Sequence, residues 1–306
     1  MLSICIPVFN VDVRPLVQQL ANQIAHAGAP SEIIVIDDAS KQAFKQINQE
    51  LESLATYIEL PHNIGRSAIR NRFLEVAKQP FLLYLDCDAE IISEDFIQKY
   101  INFLRESSPE VVVGASIYQK EIPDKLHRLR WYYSVNRESK SIEQRLKFPD
   151  LGFKTNNFII QKSLLEKIRF DERLKNYGHE DTLLGFQLKE RNIPIQHIDN
   201  PVRNKILDSN ERFLEKTKEG IDSLVKIIGF DIPVQSFIRQ VKLLSFYKKI
   251  QSNVFLWIAF KSAFPFFSFA KRILLKGNTN LYLFDFYKLV LLHHALKKSN
   301  SLDRIQ

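Results

Sequence analysis

Short apolar runs that end in polar or acidic residues alternate with helical patterns along the first two thirds of this chain. Residues 2–8 and 32–36 each predict a strand buried on both faces, because neither run alternates apolar with polar side chains. Between them, Leu16, Leu20 and Ile24 recur at helical spacing and predict a helix over 13–25. Together these segments predict a parallel β-α-β unit at the start of the chain.

The same alternation continues beyond this unit and predicts the fold class. Strands that alternate with helices form an α/β fold with a doubly wound, mostly parallel sheet, whose ligands bind at the carboxyl ends of the strands. Residues 116–152 lose the pattern, so we expect a loop-and-helix insertion over the substrate cleft there. The other predicted strands are 57–60, 81–85, 111–113, 157–161 and 195–198, and the other predicted helices are 43–54, 66–77, 94–104, 163–168, 180–191 and 210–228.

The last quarter of the chain differs from the rest in charge. Residues 231–306 carry 12 Lys and Arg against three acidic residues, whereas residues 1–230 carry 31 against 32. A charge asymmetry of this kind indicates a separate region that contacts an anionic surface. We therefore predict a main domain over 1–230 and a basic, aromatic-rich helical extension over 231–306.

Residues 253–270 of the extension are mostly aromatic and aliphatic, but Lys261 and Pro265 interrupt them. Since about 20 apolar residues are needed to span a bilayer, we predict that this segment lies on an anionic inner-membrane surface. The alternative is that its helices pack on the main domain or on a partner subunit. Nucleic acid is not an expected partner, because the aromatic residues cluster with aliphatic ones and do not interleave with basic ones.

Cysteine usage and the N-terminal residues predict the cellular compartment. Cys5 and Cys87 both fall in apolar runs, which suits buried thiols and a reducing setting. The first residues lack the basic region and the long apolar stretch of a secretory signal. We therefore expect a cytoplasmic protein, with its extension as a peripheral contact to the inner face of the membrane.

Asp86-Cys87-Asp88 follows the predicted strand 81–85, at the edge where such sheets bind ligands. Two carboxylates one residue apart offer the hard oxygen ligands that Mg²⁺ or Mn²⁺ prefers, and the metal can bridge them to a diphosphate. Two solvated turn acids are the alternative, and this pair alone does not decide between the two interpretations.

Two other polar segments follow predicted strands. Asp37 and Asp38 end the second strand, where a carboxylate can accept hydrogen bonds from a base or a ribose. Helix capping by Asp38 or Ser40 is the alternative. The turn at 62–66 precedes a helix with Arg70, whose guanidinium could contact a base or a phosphate, or belong to a solvated basic face.

Glu180 and Asp181 open the predicted helix 180–191. One of these carboxylates could take the proton from an attacking hydroxyl group as a general base. Acids are also common at helix N-termini because the helix dipole stabilises them. The segment by itself therefore leaves both interpretations open.

Five segments occur in the order and spacing of glycosyltransferase family 2, and together they cover roughly residues 2–229. They are SICIPVFN, IIVIDDAS, HNIGRSAIRN, LLYLDCDAEI and NYGHEDTLLGFQL. The chain resembles this family, which implies a GT-A fold and an inverting sugar transfer. The expected donor is a nucleotide-diphospho-sugar, with uridine as the usual nucleobase and guanosine or thymidine still open. The expected acceptor is a hydroxyl group of a glycan or a lipid-linked molecule, and the expected cofactor is Mn²⁺ or Mg²⁺.

The resemblance also implies roles for individual residues. Asp38 would bind the nucleobase, Asp86 would lie beside the ribose and the metal, and Asp88 would bind the metal. Asp181 would be the general base, and Glu180 would bind the acceptor. Other residues expected at the nucleotide-sugar are Pro7, Phe9, Asn10, Asp37, Asn63, Gly65, Arg66, Arg70 and Cys87, while His179 and Trp131 are expected on the acceptor side.

The sequence departs from the family at one expected site residue. Segments that resemble HIDNPVRN commonly carry a histidine shortly after NPV, whereas Arg203 and Asn204 stand here. Arg203 could pair with a phosphate and Asn204 could offer a carbonyl oxygen, but neither is an imidazole. One alternative is therefore a catalytically weakened member that binds a nucleotide-sugar or glycan. Another is a phosphohydrolase of the DxD type, which needs a nucleophilic Asp after its first strand, whereas Asp86 follows the fourth.

Overall fold

The structure is a computed structural model that describes residues 1–305. Its strands are β1 (Leu2–Val8), β2 (Ser31–Asp37), β3 (Thr56–Glu59), β4 (Phe81–Leu85), β5 (Ala89–Ile91), β6 (Val111–Val113), β7 (Ser116–Ile117), β8 (Asn157–Gln161), β9 (Ile195–His197) and β10 (Val202–Asn204). Its helices are α1 (Arg14–His26), α2 (Gln42–Asn48), α3 (Arg66–Val76), α4 (Phe96–Ser107), α5 (Arg128–Tyr133), α6 (Ile142–Lys147), α7 (Lys162–Ile168), α8 (Glu180–Glu190), α9 (Asn210–Ile228), α10 (Val234–Gln240), α11 (Lys242–Gln251), α12 (Val254–Ser262), α13 (Phe267–Leu275) and α14 (Leu281–Lys298).

Contacts divide the chain into two compact units, and each has a different architecture. Unit 1 comprises residues 1–120, 137–175 and 180–206, and it contains the strands. Unit 2 comprises residues 121–136 and 176–179 together with the chain from Leu207 onward, and it is helical. The predicted α/β domain and helical extension are both present, but α9 belongs to the helical unit.

Unit 1 is built on a sheet with the strand order β3-β2-β1-β4-β8-β6-β9 within the described residues. Strand β8 runs antiparallel to β4 and β6, and the other neighbouring pairs are parallel. The predicted mostly parallel α/β sheet is therefore confirmed. The ends of β1, β2 and β4 lie side by side, which brings the segments after Val8, Asp37 and Leu85 to one edge.

Helices cover both faces of this sheet, which explains the apolar strands. Ile4 and Ile6 of β1 pack into the core under α1 and α4, whereas Cys5 between them packs into the core under α3 and α7. A strand buried on both faces has no polar alternation, as its sequence predicted. Burial raises the pKa of the Cys5 thiol well above its ordinary value, so it is a neutral core residue.

A small second sheet with the order β5-β10-β7 lies beside the carboxyl edge of β4. Strand β10 pairs with β5 so that Asn204 stands opposite Ala89, and the Lys205 N–H donates to the Asp88 carbonyl oxygen at 3.2 Å. These two- and three-residue strands carry too little periodicity to be predicted from sequence. They place the segment after Pro201 next to the Asp86-Cys87-Asp88 turn.

Unit 2 is organised around α9 and α14, with Phe213 and Phe284 stacked at a ring-centroid distance of 5.1 Å. Asn210 is buried at the start of α9 and joins three segments of this unit. Its side chain accepts from the Leu129 N–H at 3.0 Å and donates to the Lys125 and Leu275 carbonyl oxygens. These bonds explain why 121–136 and α9 fall in the helical unit, whereas the sequence placed the division at residue 230.

The stretch Val254–Leu275 in unit 2 exposes much of its apolar surface. It is the one helical stretch within residues 1–305 that is long and apolar enough to cross a membrane, and only 11% of its most apolar part is buried. Phe255 is 84% exposed and Phe269 is 60% exposed, which is unusual for large aromatic side chains in a folded unit. Lys261, Lys271 and Arg272 are exposed on the same stretch.

Candidate active site

The turn that follows β4 is held by backbone hydrogen bonds on both sides. The Asp86 N–H donates to the Asn156 carbonyl oxygen at 3.2 Å, and the Ala89 N–H donates to the Asp86 carbonyl oxygen at 3.0 Å. Both carboxylates of Asp86-Cys87-Asp88 therefore stand on a tight turn at the sheet edge. Burial, followed by the adjacent Asp88 and Asp86 carboxylates, raises the pKa of Cys87 to about 12.

Arg70 on α3 connects Asp86 to the acidic pair on α8. Its guanidinium lies 3.3 Å from the Asp86 carboxylate and 3.4 Å from the Glu180 carboxylate. Arg70 is 2% exposed and Glu180 is 7% exposed, and the Phe170 ring lies 5.6 Å from the guanidinium carbon. The Tyr84 hydroxyl donates to the Arg70 carbonyl oxygen at 2.8 Å. Arg70 is thus a buried clamp between the two acidic segments.

Asp181 is more accessible than its neighbour Glu180, with 19% of its side chain exposed. Its Oδ2 atom accepts from Lys154 Nζ at 2.9 Å, and its Oδ1 atom accepts from the Thr182 N–H at 2.7 Å. These bonds fix the carboxylate beside an exposed cation at the start of α8. A fixed and partly exposed carboxylate can receive a proton from a bound hydroxyl group.

Asp38 holds the turn that leads into α3. Its carboxylate accepts from the Ile64 N–H at 2.7 Å and the Gly65 N–H at 3.2 Å, and Asn63 donates to the Asp38 carbonyl oxygen. Burial raises the pKa of the Asp38 carboxyl, although the two amide bonds oppose that shift. Gly65 has φ +86°, and a Cβ there would lie 3.0 Å from the Lys175 carbonyl oxygen. The turn therefore needs glycine at this position.

Asp37 points into the fold. It is fully buried, and its carboxylate accepts from the Ser40 N–H at 2.6 Å and from the Tyr57 hydroxyl at 3.2 Å. Its predicted nucleotide contact therefore finds no support in this geometry. The alternative, helix capping by Asp38 or Ser40, is also wrong for α2. The N-cap residue of α2 is Lys41, and no side chain forms a capping hydrogen bond there.

The segment after β1 leaves one large side chain open to solvent. Phe9 is half exposed. Asn10 adopts φ +56°, and it bonds to the segment after β2 through Ser40 and the Lys41 N–H. The predicted set Pro7, Phe9 and Asn10 thus lies at the same sheet edge as Asp86-Cys87-Asp88.

Arg66 also contacts the acidic pair, with its guanidinium 3.7 Å from the Glu180 carboxylate. Arg203 on β10 pairs instead with Glu90 on β5 at 3.0 Å. Unit 1 therefore brings together the acids at 86–88 and 180–181 with Arg66 and Arg70. It places Arg203 in an ion pair across the small sheet.

The donor set at the turn fits a hard divalent cation. Residues 1–305 contain no group of three or more His, Cys, Asp and Glu side chains that could hold a metal ion. Asp86 and Asp88 nevertheless share one turn, and Asn204 lies beside it on β10. The Asn204 Oδ1 atom is buried and has no hydrogen-bond partner among the described residues. Two carboxylates and an unsatisfied amide oxygen are ligands that suit Mg²⁺ or Mn²⁺.

His179 and Trp131, predicted on the acceptor side, both belong to unit 2. His179 adopts φ +68° after Gly178, whose own φ is +97°. A Cβ at Gly178 would lie 2.9 Å from the Gly220 Cα atom, so α9 approaches this turn closely. Their contact with an acceptor stays a prediction.

Sequence reasoning missed Lys154, which pairs with Asp181, and Asn156, whose carbonyl oxygen holds the Asp86 turn. Both lie in a segment that precedes β8 and shows no apolar periodicity. The contact between Lys154 and Asp181 joins residues 27 positions apart. The only local signal is a cation and two amides clustered before an apolar strand, which is too common to assign a site.

Comparison with known proteins identifies the family of this chain. The sequence profile described as glycosyl transferase family 2 matches residues 3–169, more than half of the chain. A hyaluronan synthase of Pasteurella multocida is 30% identical over 227 residues, which cover 61% of this chain and 22% of the synthase. The chain spans about a fifth to a third of the length of the relatives that it matches in sequence.

Solved structures share the fold. A mannosyltransferase of Pyrobaculum calidifontis in complex with GDP-Man and Mn²⁺ superposes with a TM-score of 0.55 at 14% identity, over 98% of this chain and 75% of that one. TarS 1–349 of S. aureus in complex with UDP-GlcNAc gives a TM-score of 0.50 at 17% identity, over 99% of this chain and 89% of that one. Identities this low show the fold alone, which is the expected GT-A fold. With the family profile matched over most of unit 1 and acids at the ends of its strands, the chain belongs to glycosyl transferase family 2.

Proposed function

We propose that this chain is an inverting glycosyltransferase that moves a sugar from a nucleotide-diphospho-sugar to a hydroxyl group. The observation that carries the proposal is the contact series from Asp86 through Arg70 to Glu180, with Asp181 adjacent. It joins an acidic turn suited to a metal-bound diphosphate to an acidic pair suited to an acceptor. A phosphohydrolase is disfavoured, because Asp86 follows the fourth strand along the chain and its carboxylate is paired with Arg70.

In the proposed reaction, Asp181 takes the proton of the acceptor hydroxyl group. The acceptor oxygen then forms a bond to the anomeric carbon, while the bond from that carbon to the diphosphate breaks and the diphosphate leaves with the electron pair. Attack from the side opposite the leaving group inverts the anomeric centre. Lys154 and the Thr182 N–H hold the Asp181 carboxylate in place, and Glu180 is the proposed acceptor-binding neighbour.

The proposed cofactor is Mn²⁺ or Mg²⁺, held by Asp86, Asp88 and an amide oxygen. When bound, such a cation stabilises the negative charge of the departing diphosphate. Arg70 keeps Asp86 in position for this role, since the guanidinium contacts that carboxylate from within the core. Asp38 is the proposed contact to the nucleobase, and its carboxylate also holds the turn at 62–66.

The proposed donor is a UDP-sugar, and the proposed acceptor is a glycan or a lipid-linked molecule. TarS was solved with UDP-GlcNAc and the mannosyltransferase with GDP-Man, so this fold accommodates both nucleobases. The hyaluronan synthase relative supports a polysaccharide acceptor. The nucleobase is the first property to test.

A donor panel tests the proposal directly. Binding of UDP-, GDP- and TDP-sugars with Mn²⁺ is measured by calorimetry, and nucleoside diphosphate release is measured with glycan acceptors. We expect UDP-sugars to bind in a metal-dependent manner and to be turned over. Donor binding without turnover on any acceptor would favour the weakened, binding-only alternative. The absence of metal-dependent binding to every donor would overturn the proposal.

We also propose that Val254–Leu275 lies in the plane of an anionic bilayer surface at the cytoplasmic face. Its exposed aromatic side chains and its exposed Lys261, Lys271 and Arg272 complement a surface that is apolar within and anionic at its headgroups. A spanning orientation is disfavoured, because each basic residue near the centre of a bilayer costs about 2.5 to 3.5 kcal/mol. Lipid-linked acceptors would be found at such a surface.

Liposome flotation tests this contact. The full chain is expected to float with phosphatidylglycerol vesicles and more weakly with phosphatidylcholine vesicles, since each basic residue gains about 1 kcal/mol near anionic lipid. Phe255→Ser with Phe269→Ser should weaken binding at least about tenfold, because two aromatic rings leave the interface. Leu146→Ser with Phe148→Ser, which also removes exposed apolar side chains, should bind as wild type.

Flotation of the Phe255 and Phe269 variant at the wild-type level would overturn the membrane assignment. Concentration-dependent dimers without flotation would reassign the surface to a second copy of the chain.

A further inference from the structure

The orientation of the Asn204 amide is fixed by two residues with no assigned role. The Tyr118 hydroxyl donates its proton to the Glu138 carboxylate at 2.8 Å. In its contact with Asn204, the Tyr118 oxygen therefore acts as the acceptor, and the Asn204 Nδ2 atom, 3.1 Å away, is the donor. The amide nitrogen faces Tyr118, and the carbonyl oxygen Oδ1 faces the other way.

This oxygen is buried and has no hydrogen-bond partner in the described chain. Leaving a buried acceptor unsatisfied is energetically costly. A simple rotation of the amide would not relieve that cost, because Nδ2 would then lose Tyr118 as its acceptor. A buried acceptor held in a fixed direction without a protein partner is a position that a bound ion or water can satisfy.

The register of the small sheet places this group at the metal turn. Asn204 stands opposite Ala89, and the next residue donates from its backbone to the Asp88 carbonyl oxygen. The same pattern recurs on the other side of the turn. Asn156 donates through Nδ2 to the Ser116 hydroxyl at 2.9 Å, and its Oδ1 atom also lacks a hydrogen-bond partner within residues 1–305. Its backbone carbonyl oxygen accepts from the Asp86 N–H.

We propose that the Asn204 carbonyl oxygen is a metal ligand beside Asp86 and Asp88, and that Tyr118 and Glu138 are positioning residues that aim it. This inference rests on the proposed metal-assisted transfer. An all-oxygen ligand set has a further consequence for metal choice. Carboxylate and amide oxygens suit Mg²⁺ and Mn²⁺, whereas an imidazole shifts preference toward Zn²⁺, Ni²⁺ and other softer ions.

Metal affinity, measured without turnover, tests the proposal. Mn²⁺ binding to the full chain with UDP is followed by the electron paramagnetic resonance signal of free Mn²⁺ and by the metal-induced rise in melting temperature. Tyr118→Phe should weaken Mn²⁺ binding about tenfold, the usual effect of removing a group that orients a ligand. Asn204→Ala should weaken it at least as much. Asn204→His should raise affinity for Zn²⁺ and Ni²⁺ relative to Mg²⁺.

The control is Tyr247→Phe, which removes another buried hydroxyl group, one bonded to His293 in unit 2 at 2.7 Å. It should leave Mn²⁺ affinity unchanged, and melting curves without metal show that each variant is folded. Mn²⁺ affinities within twofold of wild type for both Tyr118→Phe and Asn204→Ala would overturn the inference. A wild-type chain that binds UDP without any metal would instead refute the proposed cofactor.

Discussion

Asp181→Asn is expected to lower the turnover number of sugar transfer about 10²- to 10⁴-fold, the range that a general base contributes. The asparagine keeps the shape of the side chain, and its Oδ1 atom can still accept from the Thr182 N–H. It cannot take the proton of an acceptor hydroxyl group. Steady-state kinetics with a UDP-sugar, Mn²⁺ and a glycan acceptor measure the loss.

Donor binding separates loss of chemistry from loss of structure. Asp181→Asn should bind UDP and Mn²⁺ with wild-type affinity, because Asp181 lies on α8 and the proposed metal ligands lie on other segments. Lys154→Gln serves as the companion variant, since it removes the cation at 2.9 Å and keeps the carboxylate. It should retain most of the turnover that Asp181→Asn loses. Turnover within tenfold of wild type in Asp181→Asn would rule out Asp181 as the base.

Arg70→Leu is expected to lower the free energy of unfolding by about 3 kcal/mol, because it leaves the buried Glu180 carboxylate without its main partner. Chemical denaturation of the full chain measures this loss. The same variant should weaken UDP and metal binding, since Asp86 also loses the guanidinium that holds it. Arg70 thus has a larger expected effect on stability than any exposed ion pair in unit 1.

Two further variants make this result specific. Arg72→Leu removes the same side chain from the same helix, but Arg72 is about half exposed and pairs with Glu75 on the surface. It should cost less than about 1 kcal/mol. Arg70→Leu with Glu180→Leu removes both buried charges and should recover part of the lost stability. Equal losses in the free energy of unfolding for Arg70→Leu and Arg72→Leu would contradict the role of Arg70 as a buried clamp between Asp86 and Glu180.

Several expectations from the sequence concern local structure, and these are confirmed. The apolar run 81–85 is β4, and the predicted helix 66–77 is α3 within one residue. Such elements are predictable because a strand buried on both faces is a continuous apolar run, and an amphipathic helix leaves a helical period in the sequence itself. The acids at 86–88 lie at the carboxyl edge of the sheet because chain order in a parallel α/β fold dictates it.

The roles of individual acids were less predictable. Asp37 and Asp38 are adjacent in sequence at one strand end, yet Asp37 is fully buried against Tyr57 and Asp38 holds the turn at 64–65. Asp37 is the last residue of β2, whereas Asp38 follows it outside the strand, so the two adjacent acids do not share one environment. Sequence alone indicates that a carboxylate is present, but not which groups surround it.

By itself, the sequence determined the family, the mostly parallel sheet and the sheet edge at which the acidic segments lie, because each of these depends on motif order, local periodicity and chain order. Only the tertiary structure decided the partners: Arg70 meets Glu180 across 110 positions, and Asn204 meets Tyr118 across 86. Such contacts leave no period in the sequence, since they form between elements that meet only when the sheets and helices pack. The charge clamp and the orientation of the Asn204 oxygen are therefore properties of the packing.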